Sequence, residues 1–548
     1  MRGTFDLHIW LSCASACVLL WGCAQPRPLT GGEKDVTPPQ ILNATPENQS
    51  VNFSGNRIVL EFDEYVALKS ANQELIVSPT LKYPVEFKLR KRKLFVSWRD
   101  TLDDNSTYLF QFGKGIVDNN ESNPLDSNIF VFSTGQYIDS FAIEGTVVNA
   151  FELGPAPDVW VMLYTENEDS LPYHELPRYI AKTNEEGRFT LNYLKPGSYK
   201  VFVLSTINTG YLYDVTGEAI GFLDTMVKAR LRRDSLGLDT AFSIRMFVEE
   251  DSTQYVKSFE QEGNRGLIFE FNRPVEELNV TDLNGKEDVQ NWTANWSSDH
   301  DSITYWFPEK NDYDSLKLKV EVDGFLDTIS FRKPTIRKTR GKNAPESELE
   351  LLSSATPKQR YFKPLTLTAA TPLSRVVEFE RSIFTENGDT VDLTPYLKQE
   401  FNTLVFDYPW KQDGKYSLLI PDSVVWDRFE STHDTIKYAF SATRKEDYGT
   451  LLIQHQLPEL GHQYVWQLLS AKGQVIDERL VEPKGSMEYK FLTTGAYQIR
   501  VIYDINHNGI WDTGYYPGKR QPEYVKFYDQ PVDIRSNWTT EVNWTLLK

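Results

Sequence analysis

The residues best suited to chemistry lie near the C-terminus, in Asp504-Ile-Asn-His-Asn-Gly-Ile-Trp-Asp512. Oxygen donors fall at positions 1, 3, 5 and 9 of this run, and Gly509 stands at position 6. EF-hand-type calcium loops use that spacing, because alternate side chains turn inward and glycine permits the sharp bend. Asp504, Asn506, Asn508 and Asp512 would supply side-chain oxygens and Ile510 its backbone carbonyl, so calcium is the one cofactor suggested. Position 12 is Tyr515, and the carboxylate expected there has to come from another residue such as Glu523, or be replaced by water. The same residues also suit a plain β-hairpin whose Asp and Asn side chains close Asx-turns. Both readings stay open at this point. The related stretch Thr206–Asp214 lacks the first Asp and a glycine at position 6, so no metal is expected there.

Covalent chemistry points to the other end of the chain. The three cysteines, Cys13, Cys17 and Cys23, all lie at the start, so no disulfide can staple the domains that follow. Ile9–Gly22 is an apolar run too short to cross a bilayer, which takes roughly 20 residues. It fits the hydrophobic region of a secretory signal, which assigns residues 1–22 to a signal peptide. The run ends Leu20-Trp21-Gly22-Cys23, which resembles the bacterial lipobox. That resemblance implies lipidation of Cys23 and anchoring to a membrane, with several acyl chains giving stable attachment where one would not. Residues 23–36 are rich in Pro and Gly and read as a tether. The tether has no acid beside Cys23, which leans towards an outer-membrane position facing the periplasm, with the cell surface as the other choice.

A third pattern, Asp followed by Ser or Thr and then an apolar residue or Thr, recurs along the chain. It presents Thr101, Ser170, Thr225, Ser235, Thr240, Ser252, Ser302, Ser315, Thr328, Thr390, Ser423 and Thr435. The pattern resembles the O-glycosylation acceptor of Bacteroidota. Its structural counterpart is a turn closed by Asp-Ser/Thr just before a strand.

Catalysis finds little support. There is no Gly-x-Ser-x-Gly, His-Glu-x-x-His or phosphate loop. His455 and His462 could face each other, but Pro458 intervenes and a surface loop is expected. A pair of glycosidase-type carboxylates stays open among so many acids. Trp292, Trp296, Tyr515 and Tyr516 could stack on sugars, although such rings more often fill small cores.

These residues need elements to hold them. A chain of 548 residues exceeds one core, and at about 100 residues per sandwich it allows about five domains. Short apolar stretches such as Arg57-Ile-Val-Leu-Glu-Phe, Lys93-Leu-Phe-Val-Ser-Trp and Tyr108-Leu-Phe-Gln-Phe alternate with turn signals. Aromatics make up 13% of residues, which also favours strands. The fold class expected is all-β, with tandem antiparallel β-sandwich domains. The net charge of −19 argues against nucleic acid as a partner.

Thr37-Pro-Pro-Gln-Ile, Ile58–Val66, Gly115-Ile-Val-Asp-Asn-Asn-Glu-Ser-Asn-Pro-Leu and Phe130-Val-Phe-Ser-Thr-Gly together resemble an Ig-like domain of the SbsA surface-layer type. One departure is Ser122, which stands where that type places Gly before Asn123-Pro124, with Asp118 one residue further upstream than usual. Lys182-Thr-Asn-Glu-Glu-Gly-Arg-Phe and Leu194-Lys-Pro-Gly-Ser-Tyr resemble prealbumin-like modules of the kind found as carboxypeptidase regulatory domains. Leu194–Asp214 aligns without gaps to Leu492–Asp512, an offset of 298, and Tyr108 and Phe132-Ser133 match Tyr416 and Phe440-Ser441, an offset of 308. The Ig-like and prealbumin-like pair therefore reads as occurring twice. The expected domains are an Ig-like domain at 37–136, a prealbumin-like sandwich at 139–236 and an Ig-like sandwich at 240–335. A further Ig-like sandwich at 350–445 and a prealbumin-like sandwich at 446–548 follow.

Tether and domains together resemble an Ig-like lipoprotein family of Bacteroidota. That resemblance implies a non-catalytic envelope lipoprotein, acting as a scaffold or interaction module at the outer membrane with other envelope proteins as partners. The alternative is a surface adhesin that binds glycan or matrix.

Overall fold

A computed structural model describes residues 35–126, 128–205, 211–213, 217–231, 242–251, 253–262, 265–285, 289–308, 315–332, 349–355 and 358–546. The chain is all-β, built of tandem antiparallel β-sandwiches. Among the described residues the longest α-helices, Ala71–Glu74 and Leu171–His174, have four residues each. No helix among the described residues is long and apolar enough to cross a membrane. Two compact units form, one from residues 1–148, 155–213 and 221–244, the other from 149–154, 214–220 and 245–548.

In the first unit, Ile41–Thr45, Arg57–Phe62, Lys93–Ser97 and Glu86–Arg90 lie side by side in one antiparallel sheet. Ile76–Ser78, Thr107–Gln111 and Ile129–Ser133 form the facing sheet, and Val66–Leu68 pairs with Ile116–Asp118. Strict alternation drives this: Ile58, Leu60 and Phe62 are fully buried on one face of their strand while Arg57 faces out. Each such buried side chain is worth about 1.5–3 kcal/mol.

The turn that departs from the family pattern is nevertheless tightly closed. Asp118 is 2% exposed and accepts backbone N–H groups from Asn120, Glu121, Ser122 and Asn123 at 2.6–3.0 Å. Burial alone would push its carboxyl up, but these amides outweigh it and hold the pKa down at about 2. Ser122 itself takes the left-handed φ of 71° that glycine would normally provide.

The second sandwich of this unit centres on Trp160–Tyr164, buried along its whole length between Tyr179–Lys182 and Ser198–Leu204. Asn184-Glu-Glu-Gly187 turns as its residues predict: Asn184 Oδ1 accepts the N–H groups of Glu186 and Arg188. Gly187 sits at φ 70°, and a Cβ there would lie 2.4 Å from the Val147 carbonyl. The two sandwiches join along Tyr179–Lys182. Thr80 N–H donates to the Arg178 carbonyl, Ile180 N–H donates to Ser78 Oγ, and Arg178 pairs with Asp103.

The second unit repeats this architecture. Leu351–Ser353, Leu365–Ala369, Thr403–Phe406 and Leu397–Gln399 form a sheet in the same spatial order as the first Ig-like domain, and Leu373–Val376 pairs with Val425–Asp427. Local hydrogen bonds repeat too. Tyr108 OH accepts Asp103 N–H, and Tyr416 OH accepts Lys411 N–H, both shifted by the offset of 308. Tyr199 OH donates to the Lys195 carbonyl and Tyr497 OH to that of Thr493, shifted by 298. In the C-terminal sandwich Tyr448–Gln456 runs antiparallel to Lys484–Thr493 and parallel to Thr539–Thr545. The other sheet holds Val475–Val481, Gln463–Ser470, Gly495–Asp504 and Tyr524–Phe527 in that order. Another sandwich precedes this pair, with Gly266–Phe271, Ser302–Trp306 and Ser315–Val322 packing Phe269, Phe307, Leu318 and Val320 into its core.

Candidate functional site

The loop Ile505–Trp511 leaves the buried end of Gly495–Asp504, and the first predicted ligand, Asp504, is fully buried. Its Oδ1 accepts Asn508 N–H at 3.1 Å, and its Oδ2 accepts Gly509 N–H at 2.8 Å and Gln463 Nε2 at 2.9 Å. Gly509 takes φ 82°, the bend that its place in the motif requires. The side-chain amides of Asn506 and Asn508 both reach Asp512 Oδ2, each at 2.8 Å. Four of the predicted side chains thus face one small loop. The Ile510 side chain points out, 59% exposed, and its N–H donates to Asn508 Oδ1.

Glu523 completes the base of the loop. It is 4% exposed, and its two oxygens accept Ile505 N–H at 2.6 Å and Asp512 N–H at 3.0 Å. Burial raises its pKa, the two amides pull it down, and the charges of Asp512 and Asp504 push it up again. The donor set is all oxygen and all hard, which suits calcium rather than zinc. Even so, among the described residues no three His, Cys, Asp or Glu side chains come close enough together to share a metal. Asp512 Oδ2 is instead satisfied by hydrogen bonds from the two Asn amides. The duplicate stretch Thr206–Asp214 lies mostly outside the described residues.

The segment after the loop packs onto residues 149–154 and 245–249 of the same unit. Trp511 packs at a tilt of 45° against Phe151 with centroids 4.8 Å apart, and Thr513 Oγ1 donates to the Val248 carbonyl at 2.7 Å. Tyr516 N–H donates to the Glu249 carboxylate. Arg245 lies over the Tyr524 ring and donates to the Pro522 carbonyl at 2.9 Å. Arg500, 4% exposed, lies 4.0 Å from the Phe151 ring centroid and donates to Gln467 Oε1.

A cleft of about 850 Å³ opens beside this contact, lined by Phe151, Trp511, Tyr515 and Tyr255 together with several acids. Three of those acids have structural tasks: Glu249 holds Tyr516 N–H, Glu152 lies 3.7 Å from Arg500, and Asp251 accepts Thr253 N–H.

The remaining predicted residues scatter. Cys23 lies outside the described residues, as do Ser235, Thr240 and Ser252. Thr101, Ser170, Thr225, Ser315, Thr328, Thr390 and Thr435 are exposed, whereas Ser302 and Ser423 are half-buried. His455 does not sit in a surface loop. It is 5% exposed in the strand Tyr448–Gln456, its ring 5.2 Å from that of Trp466, and Nε2–H donates to the Glu482 carbonyl. Trp292 is a core residue packed on Phe307, and Tyr516 is likewise buried, while Tyr515 is exposed.

Residues 35–134 match the bacterial Ig-like domain family (Big_5), so the chain carries such a domain. No curated protein matches the chain. Among solved structures, SGBP-B of the Bacteroides ovatus mixed-linkage glucan utilization locus, in complex with a mixed-linkage heptasaccharide, is 11% identical. That likeness covers 64% of this chain and 85% of the other, at a TM-score of 0.19. Domains 1–6 of the surface layer protein SbsC are 11% identical over 90% of this chain and 67% of theirs, at 0.14. The major pilin subunit of Bacillus cereus, BcpA, is 10% identical over 73% and 98%, at 0.13. At these TM-scores the likenesses carry no functional argument.

Proposed function

We propose that this chain is a non-catalytic lipoprotein of the bacterial envelope, held at the outer membrane by a lipid on Cys23. Its tandem sandwiches act as a scaffold that presents interaction surfaces to other envelope proteins. The observation behind this reading is the repetition of one two-sandwich architecture, down to the tyrosine hydrogen bonds at Tyr108 and Tyr416 and at Tyr199 and Tyr497. Repeated modules of this kind build length and surface. Three of the acids lining the cleft beside Trp511, Glu249, Glu152 and Asp251, are engaged with backbone and arginine groups, as in a structural joint.

The Cys23→Ala chain is expected to leave the membrane fraction completely, while wild type stays with it after a high-salt wash. A Cys23→Ala protein that still sediments with washed membranes would place the anchor elsewhere. Intact mass of the native protein reads two features at once: acyl mass at Cys23, and sugar mass at exposed Asp-Ser/Thr positions such as Thr101, Thr328 and Thr390. A bare polypeptide mass would remove both modifications.

The loop Asp504–Asp512 is proposed to take calcium through Asp504, Asn506, Asn508, Asp512 and the Ile510 carbonyl. Glu523, buried beside Asp504 and Asp512, is the carboxylate that position 12 lacks. A bound cation would offset the burial, and the smaller repulsion from Asp512 and Asp504, that raise the Glu523 pKa. Affinity is expected on the order of 10⁻⁴–10⁻³ M, as in extracytoplasmic modules. At ten times Kd this stabilises the fold by about 1.4 kcal/mol, raising the melting temperature of the C-terminal sandwich in millimolar calcium relative to EGTA. An unchanged melt in wild type, or the same shift in Asp504→Ala and in the exposed-site variant Asn506→Ala, leaves the loop a plain hairpin.

A further inference from the structure

We propose that the strand Val475–Val481 is a self-association edge, pairing antiparallel with the same strand of a second copy of this chain. Among the described residues the strand ends its sheet and pairs only with Gln463–Ser470, so one side of its backbone faces outward. A seven-residue edge of this kind is a template for strand addition.

The internal repeat shows what such an edge does when it has a neighbour. Tyr179 stands opposite Leu163 and Lys182 opposite Trp160 in the first copy. Asp477 stands opposite Leu468 and Leu480 opposite Val465 in the second. The two strands correspond at the offset of 298. In the first copy Tyr179 is 2% exposed and Ile180 3%, because the adjoining Ig-like domain packs there through Ser78 and Thr80. In the second copy Val475 is 49% exposed, Ile476 51% and Leu480 57%. The position therefore suits a packed neighbour, and here it presents three large apolar side chains to solvent.

The sequence of the strand selects its own copy as the occupant. Val-Ile-Asp-Glu-Arg-Leu-Val is nearly complementary to itself when reversed about Glu478. Antiparallel pairing sets Val475 against Val481, Ile476 against Leu480 and Asp477 against Arg479, each twice. Asp477 and Arg479 already lie 2.7 Å apart within one strand, and pairing turns them into a cluster of four alternating charges. The single unfavourable pair is Glu478 against itself.

Sedimentation equilibrium of the chain from Ala24 to Lys548, from micromolar to millimolar, tests this. Wild type is expected to form a concentration-dependent dimer. Leu480→Lys should weaken it at least about tenfold, since each substitution removes two cross-strand pairs. Asp477→Arg should weaken it as well, and the double variant Asp477→Arg/Arg479→Asp should recover it. Glu478→Gln should tighten it. Melting temperatures of the variants report whether the fold is kept. A wild type monomeric up to millimolar overturns the proposal, and so does association insensitive to Leu480→Lys. A double charge reversal no tighter than Asp477→Arg alone overturns the register about Glu478.

Discussion

Trp466→Ala is expected to lower the melting midpoint of the C-terminal sandwich by more than about 10 °C. Trp466 is fully buried, in a strand of its sheet that lies between Val475–Val481 and Gly495–Asp504. Its ring lies 5.4 Å from that of Trp544 and 5.2 Å from that of His455, inside a core that also holds Leu451, Ile453 and Ile499. Strands from both sheets meet at this side chain, so truncation opens a cavity that neither sheet can close alone. Such truncations cost about 3–5 kcal/mol, and in a domain of about 100 residues each kcal/mol moves the midpoint by roughly 4–8 °C. Trp466→Phe keeps most of the volume and should cost far less. Differential scanning calorimetry measures both, and a shift of only a degree or two in Trp466→Ala would mean that the core does not depend on this ring.

Asp427→Ala is the second large loss expected. Asp427 is fully buried, and its Oδ1 accepts the N–H groups of Phe429 at 2.9 Å and Ser431 at 2.7 Å. Its Oδ2 accepts the Thr371 hydroxyl at 2.9 Å. Hydrogen bonds to a charged group are worth about 1.5–3 kcal/mol each, and buried donors left without a partner add their desolvation cost. The three act as one unit and do not sum, so about 3–5 kcal/mol is expected for the set. Asp427→Asn keeps one acceptor oxygen, and Thr371 can turn its hydroxyl to accept, so this variant should retain much of the stability. Urea denaturation followed by tryptophan fluorescence distinguishes the two. Equal loss in both would show that the charge, and not the acceptor geometry, closes the turn.

Asp427 also shows where reading along the chain stops. It corresponds in the fold to Asp118, since both end the short second strand of a matching two-stranded pair, Val66–Leu68 with Ile116–Asp118 and Leu373–Val376 with Val425–Asp427. The offset of 308 that aligns the tyrosines points to Trp426 instead, because one residue is gained between them. A single insertion in a turn is invisible to periodicity, but it leaves the ladder intact because loops absorb it.

What the sequence alone determined is whatever depends on near neighbours. Alternation at period 2 in stretches such as Arg57–Phe62 decides which side chains enter the core, and hence that the chain is all-β. Asn184–Gly187 and the run around Gly509 determine their own turns, because Asx side chains and positive φ act over a few residues. Tertiary structure decided what depends on distance in the chain. Gln463, which donates to Asp504 across 41 residues, carries no mark of that task. Glu523 was only one candidate among many acids until its two oxygens met Ile505 and Asp512. His455 became a core residue because the packing of one sheet on the other set it beside Trp466. Tyr179 is buried while the corresponding Asp477 lies at an open edge, because a neighbouring sandwich covers only the first. Local spacing sets backbone conformation and side-chain direction, but which surfaces meet is fixed only when separate sheets pack.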